Sequence, residues 1–390
     1  MPRLLFITDR FPPDIGGLAS SADRITKAFC QLGVDVDVLT WSRSLQPGDV
    51  LLPDSSLSSP TPPQLYRVGR YRHWDMTMPH TLNLLNWLQQ KHQYDAVWGH
   101  YLLPGGFLAT WFAQLKGLPS IVSARGNDID RELFPPGDFS RLQWTLERAD
   151  FVTAVSADIA HKIQVLSRRD DVVVLKNAVN DQIFAPTGDI SERQKLRESL
   201  GIAADEVVLG FAGELREKKG QTFLLNALTT VRNHRPACLL IIGEVRESQE
   251  AVLHRFGAEY PEVRSRIIIT GYLPKPEEVA KHLQLCDVYL QPSLWDGMPN
   301  ALLEAMACGC CCIASNAGGI PEIIEHGVNG FILPCSQLHH LGEAVLECLE
   351  LDAEQRQRIG KAGRDRIQLE FSLDAEKARL QRLLEGIRIF

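Results

Sequence analysis

The sequence predicts an α/β protein made of two doubly wound, parallel-sheet domains. Three observations predict it. A chain of 390 residues is too long for one comfortable core. Short apolar runs alternate with helical patterns in two successive series. The two series meet in a polar, irregular stretch, KNAVNDQIFAPTGD at 176–189.

In the first series the strand candidates are LLFIT (4–8), VDVDVLT (34–40), DAVWGH (95–100), SIVSA (120–124), FVTAVS (151–156) and VVVL (172–175). Between the first two, Ile25, Ala28, Phe29 and Leu32 recur at i, i+3, i+4 and i+7, which predicts an amphipathic helix. Segment 44–64, with five prolines and several serines, reads as an extended loop. The second series contains VVLGFAG (207–213), CLLIIG (238–243), RIIITG (266–271), DVYLQPS (287–293), CCIAS (311–315) and GFILP (330–334). Such alternation implies parallel sheets covered by helices on both faces. We therefore divide the chain at 1–178 and 179–370, both Rossmann-like, with a final helix at 371–390 packing back across the domain gap. Ligands of such sheets bind at strand carboxyl ends, so two facing domains would enclose a cleft.

Composition removes several function classes. The balance of 41 basic and 48 acidic residues, net −7, argues against nucleic acid as a partner. The apolar run in MPRLLFITDRFPP is too short for a signal peptide, and no stretch approaches a membrane span. A cytoplasmic protein, docked if anywhere on the inner face of a membrane, is the expectation. Nine cysteines do not read as a disulfide framework. Cys308, Cys310, Cys311 and Cys312 lack the ligand spacing of a metal knuckle and read as small buried side chains.

Three stretches carry chemistry. In GFAGELREKKGQTFLLNAL (210–228), a strand ends at Gly213 and a helix begins near Gly220. Arg216, Lys218 and Lys219 then lie where a helix start already favours anions, so a diphosphate is the obvious ligand. A solvated charged turn is the alternative. In RFPPDIGGLAS (10–20), Gly16 and Gly17 let backbone approach a phosphate or sugar, though G-x-G-x-x-G is absent. In SLWDGMPNALLEAMACG (293–309), Asp296 and Glu304 stand eight residues apart. A glycosidase pair needs carboxyls about 5 to 9.5 Å apart, whereas eight helical residues span about 12 Å. The two acids suit opposite ends of one long ligand, or else a capped helix with exposed charges. The amides of Gly297, Met298, Asn300 and Ala301 open that helix and can meet a diphosphate, and Pro299 fits its first turn.

At these residues the chain resembles the retaining glycosyltransferases of the GT-B fold, in particular glycosyltransferase family 4, and the resemblance covers nearly the whole length. DGMPNALLEAMACG keeps the family's acid spacing and its E-A-x-A-x-G tail, with Asp296 in place of a glutamate. GELREKKG looks like the diphosphate loop, with Glu214 where many members have arginine, and Arg216 supplying the second positive charge. PPDIGGLAS resembles the amino-terminal glycine loop, and LKNAVNDQIFAP the interdomain segment. NAGGIPEIIEHGVNGFIL (316–333) is also family-like, and Gly318, Gly319 and Glu322 would line the donor site. VWGH and SARGNDID fall where first-domain site residues lie, with Arg125-Gly126 replacing a frequent histidine-glycine pair.

The resemblance implies transfer of a sugar from a nucleotide-sugar co-substrate to an acceptor hydroxyl, with retained anomeric configuration. The donor residues would be Gly16, Gly17, Arg216, Lys219, Asp296, Gly297, Met298, Asn300, Ala301 and Glu304. His100, Arg125 and Asp128 are the first-domain candidates: a catalytic histidine, an arginine facing donor phosphate or an anionic acceptor, and a holder of an acceptor hydroxyl. No cofactor and no metal is expected, since fixed cations and helix amides would take the leaving-group charge. The acceptor is a glycan, a lipid-linked sugar or a small molecule. Arg67, Arg70, Arg72 and His73, among aromatics in 66–87, could meet a lipid phosphate or an anionic glycan, or could be a solvated loop. The rivals are a GT-B-fold epimerase of the sugar nucleotide, a nicotinamide oxidoreductase and a non-catalytic sugar-nucleotide-binding module.

Overall fold

The computed structural model describes residues 1–53, 63–131 and 134–387. They fall into two compact units, Met1–Asn177 with the segment from Glu376 onward, and Ala178–Ala375.

Among the described residues the first unit carries eight strands: β1 (Arg3–Thr8), β2 (Asp35–Ser42), β3 (Val50–Leu51), β4 (Gln64–Gly69), β5 (Ala96–His100), β6 (Ser120–Ala124), β7 (Phe151–Ala154) and β8 (Val173–Val174). Their order is β3-β4-β2-β1-β5-β6-β7-β8, parallel except for the short edge strand β3. Strand order reverses between β1 and β5. Side chains on β1 alternate between two cores: Leu4 and Phe6 join Phe29 and Trp98, while Leu5 and Ile7 join Leu39 and Phe112. A strand buried on both faces must be apolar at every position, which is why LLFIT reads as a continuous run.

Strand β4 was not visible as a strand, because Arg67 and Gly69 interrupt its apolar pattern and prolines crowd its start. The loop reading of 44–64 is corrected at Val50–Leu51, which pair with β4, and at Gln64, which begins it; residues 54–62 of that segment lie outside the described residues. The basic stretch 66–87 is not one loop. Its first part is β4 and its second opens the helix Trp74–His92. Arg67 turns inward to donate to the carbonyls of Phe11 and Pro12, and Arg70 stacks over Trp74 at 5.3 Å.

The last helix, Leu373–Ile387, presents Leu380, Leu383, Leu384 and Ile387 to the core containing Leu4, Phe6 and Trp98. That spacing of i, i+3, i+4 and i+7 is one helix face. From Glu376 onward the helix groups with the first unit.

The second unit carries β9 (Val207–Ala212), β10 (Ala237–Ile242), β11 (Ile267–Ile269), β12 (Val288–Gln291), β13 (Cys312–Ser315) and β14 (Phe331–Leu333). Their order, β11-β10-β9-β12-β13-β14, is wholly parallel. Counted within the unit this is 3-2-1-4-5-6, the Rossmann order, with the switch point between β9 and β12. Leu209 and Phe211 anchor one core face against Leu224, Leu228 and Ile241.

The cysteines behave as small apolar side chains. Cys308, Cys310, Cys311 and Cys312 are buried, and all nine are free thiols. Gly210 is required by one of them, since a Cβ there would stand 2.1 Å from the sulfur of Cys286. Among the described residues no helix is long and apolar enough to cross a membrane.

Candidate active site

In the second unit, three loops converge at the carboxyl ends of β9, β12 and β13. The first leaves β9 through Gly213, forms a short 3-10 turn at Glu217–Lys219, and enters the helix Gln221–Arg232 through Gly220. Gly220 has φ +78°, and a Cβ on it would lie 2.1 Å from the carbonyl oxygen of Pro292. Only glycine lets this loop close onto the end of β12. The amide of Leu294 seals the join by donating to the carbonyl of Lys218 at 2.8 Å. The third loop makes the same close approach. A Cβ on Gly318 would lie 1.8 Å from the carbonyl of Asp296, and the Gly319 amide donates to the carbonyl of Gly297 at 2.9 Å.

This packing brings Lys219 and Asp296 together as an ion pair, with both side chains mostly buried. The carboxylate also accepts from Ser293 Oγ at 3.4 Å. Ser293 in turn accepts from Gln291 Nε2 at 2.9 Å, and Gln291 Oε1 accepts from the Tyr289 hydroxyl at 2.8 Å. A buried polar chain thus runs up one face of β12 to Asp296. Sequence reasoning missed it. The signal was present as Tyr289, Gln291 and Ser293 at period two within an otherwise apolar strand.

The helix after Asp296 begins later than the spacing argument assumed. It spans Asn300–Ala307 with Pro299 in the capping position, so Asp296 to Met298 are loop, not helix. Asn300 Oδ1 is buried and has no hydrogen-bond partner among the described residues. Glu304 lies one turn further on, partly buried, close enough to act electrostatically on the buried Tyr289. Gly297 and Met298 lie in the loop and Ala301 in the first turn of the helix.

Arg216 is not a free cation. Its guanidinium binds Glu214, and Arg246 binds the other oxygen of the same carboxylate. Burial would raise the Glu214 carboxyl, but hydrogen bonds from Arg246 and Arg216 prevail and hold it below the usual carboxylate range. Two guanidinium groups on one carboxylate keep a net positive charge. Arg246 follows β10 and was not singled out from sequence.

In the first unit the corresponding loops leave β1, β5 and β6. Gly16 has φ +127° and Gly17 begins the helix Gly17–Gln31. His100 ends β5, fully buried, with Nε2 2.8 Å from Ser21 Oγ. Burial first, then the charges of Arg125 and Arg24, push its basicity well below that of free imidazole, so the ring is neutral. Asp128 does not present its carboxylate for an acceptor hydroxyl. Its oxygens accept from the backbone amides of Leu102, Arg125 and Gly126 at 2.7 to 3.1 Å, which locks the β5 and β6 loops together. Burial pushes its carboxyl up to about 6 against those amides. Arg125 donates to Asn177 Oδ1, which also accepts from Arg24 at 3.1 Å, and Arg24 is paired with Glu376 at 2.7 and 3.0 Å. Asn177 and Glu376 were not predicted as site residues, because they come from segments far apart in the chain.

The fold and these loops define a GT-B glycosyltransferase. A family model described as "Glycosyl transferases group 1" matches residues 192–366, and one described as "Glycosyl transferase 4-like domain" matches 16–178. The chain belongs to the group 1, family 4 type of these enzymes. It is 23% identical over 367 residues to N-acetyl-alpha-D-glucosaminyl L-malate synthase of Bacillus anthracis, covering 92% of this chain and 91% of that one. Sucrose-phosphate synthase from Thermosynechococcus elongatus shares the fold with TM-score 0.80 at 18% identity, over 99% of both chains. The Anabaena protein HepE, solved in complex with UDP-glucose, matches with TM-score 0.78 at 19% identity, over 98% of this chain and 99% of that one.

Proposed function

We propose that this glycosyltransferase moves a sugar from a nucleotide-sugar donor to an acceptor hydroxyl with retention of anomeric configuration and without a metal ion. The acceptor is a glycan, a lipid-linked sugar or a small molecule. The observation that carries the donor reading is the convergence of Lys219, Asp296 and the start of the helix Asn300–Ala307 at the switch point between β9 and β12. A diphosphate there meets Lys219, the net positive group of Arg216 and Arg246 around Glu214, and the open amides of the helix. Asp296 receives sugar hydroxyls and Glu304 receives ribose hydroxyls. HepE was solved with UDP-glucose, which supports a nucleotide sugar as the ligand class.

The chemical burden of such a transfer is negative charge on the leaving diphosphate. Fixed cations and amides stabilise it in proportion to how well they are preorganised. The diphosphate oxygen takes the proton of the attacking hydroxyl, which requires no acid–base pair of carboxylates. This agrees with the separate placement of Asp296 in a loop and Glu304 in a helix. Metal independence is checked by assay in excess chelator, which leaves turnover unchanged; restored turnover on adding a divalent cation would overturn it. Retention is checked by NMR of the product's anomeric centre.

The donor class is tested by thermal shift against UDP-, GDP- and ADP-sugars. A ligand at a hundred times its Kd stabilises by about 2.7 kcal/mol. Glu304→Ala and Lys219→Ala, folded normally, lose turnover; wild-type turnover in either removes this site. An epimerase acting on the sugar nucleotide itself releases or converts nucleotide without acceptor, so the same assay with and without acceptor separates it. The protein acts in the cytoplasm, at most peripherally on the inner face of a membrane.

A further inference from the structure

The first unit holds a guanidinium whose partners are incomplete. Arg24 and Arg125 converge on one oxygen, Asn177 Oδ1. Two like charges drawn to one neutral acceptor are unfavourable unless anions compensate them. Arg24 has its anion in Glu376, through two hydrogen bonds. Arg125 makes no ion pair of its own among the described residues; Glu376 and Asp128 act on it only through space. Of the carboxylates that follow it among the described residues, Asp128 is turned to three backbone amides and Asp130 is paired with Lys162 at 2.7 Å. Arg125 Nη1 is buried and makes no hydrogen bond among the described residues. A desolvated guanidinium nitrogen without an acceptor is costly, and its fork geometry fits a carboxylate or a phosphate.

A second unpartnered atom stands nearby. The Ser21 hydroxyl donates to the carbonyl of Leu18 at 3.0 Å, so it accepts from His100 Nε2–H. The lone pair of the neutral ring therefore sits on Nδ1, which is buried and has no partner among the described residues. Arg125 lies within electrostatic reach of this ring. One locality thus offers a cationic nitrogen, Arg125 Nη1, without an acceptor and a neutral ring nitrogen, His100 Nδ1, without a donor.

We propose that this cluster is an acceptor subsite for an anionic acceptor, in which Arg125 Nη1 binds a carboxylate or phosphate oxygen and His100 Nδ1 accepts from a hydroxyl of the same molecule. Asn177, Arg24 and Glu376 act as positioning residues that aim Arg125. The acceptor class is accordingly a hydroxy acid or a polyol phosphate, not a neutral sugar. The inference rests on the glycosyltransferase reading for the word acceptor; the anion preference itself is measured without it.

The test uses ligand-observed NMR on the full-length protein with two matched probe pairs, malate against its dimethyl ester and glycerol 3-phosphate against glycerol. Wild type binds at least one anionic member about tenfold more tightly than its neutral counterpart. Arg125→Gln abolishes that preference, and Arg125→Lys keeps part of it, which separates loss of charge from misfolding. No preference in the wild type, or a preference that survives Arg125→Gln, overturns the proposal. Nucleotide affinity is measured on the same variants with UDP, GDP and ADP. Unchanged nucleotide binding in Arg125→Gln supports an acceptor anion, whereas its loss assigns Arg125 to the donor's phosphates and overturns the proposal. Failure of every nucleotide to bind wild type would sink the glycosyltransferase reading instead, on a separate readout.

Discussion

Lys219 and Asp296, 77 positions apart, form an ion pair across the switch point of the second sheet. The cation proposed for the diphosphate and the acid proposed for the sugar are therefore coupled rather than independent. Removing either leaves a mostly buried charge without its partner, which costs more than the net worth of the pair. Lys219→Ala and Asp296→Ala should each lower donor affinity, and the double variant should lose less than the sum, by about 0.5–3 kcal/mol. Isothermal titration of the donor on all four proteins checks this. Additive losses would show the pair to be incidental.

The polar chain beneath Asp296 predicts a different signature. Gln291→Leu leaves the Tyr289 hydroxyl without its acceptor and Ser293 Oγ without its donor inside the core. A cost of about 1–3 kcal/mol in denaturant unfolding follows from the unpaired groups. Because Ser293 no longer steadies the Asp296 carboxylate, kcat/KM should fall as well, more than in a core variant of equal stability loss such as Leu290→Ala.

Asp128 makes stability pH-dependent with an unusual sign. Its folded carboxyl, pushed up to about 6 by burial, binds a proton more tightly than the ordinary unfolded group at 3.8. The stability it contributes is present below the unfolded value and is lost as pH rises through about 6. Comparing urea midpoints of wild type and Asp128→Asn from pH 4 to 7, the wild type should lose about 2–3 kcal/mol relative to the variant across that window. A constant difference would show that Asp128 titrates normally.

Gly318 is a steric prediction. Its φ is +51°, and a Cβ would meet the Asp296 carbonyl at 1.8 Å. Gly318→Ala must push the third loop off the second and with it Gly319 off Gly297. Nucleotide-sugar binding should drop at least tenfold. Gly117→Ala, also at positive φ but with open space around it, supplies the control for backbone strain alone.

Much of the architecture was legible in the chain because parallel strands buried on both faces must be apolar throughout. LLFIT, VVLGFAG and CLLIIG therefore announce themselves. Strand β4 stayed hidden since Arg67 and Gly69 break that rule, and Arg67 finds its partners only in carbonyls of the 10–13 loop. Gly16 and Gly17 were readable as places where backbone could approach a ligand, whereas the approach of Gly220 to Pro292 and of Gly318 to Asp296 was not. The same limit applied to Asp128, a plausible acceptor ligand in sequence whose oxygens are spent on backbone amides.

Local chemistry determined which residues this chain carries to its sites: Lys219 before a glycine, Asp296 and Glu304 around a helix start, Arg125 after a strand. Only the tertiary structure decided who partners whom. Glu214 takes Arg216 and Arg246, Asp296 takes Lys219, and Glu376, from the last helix, pairs with Arg24 and reaches Arg125 only through space. The reason is physical: a charge's identity is covalent, but its neutralisation depends on which charges folding brings within a few ångströms, and a linear sequence holds no such distances.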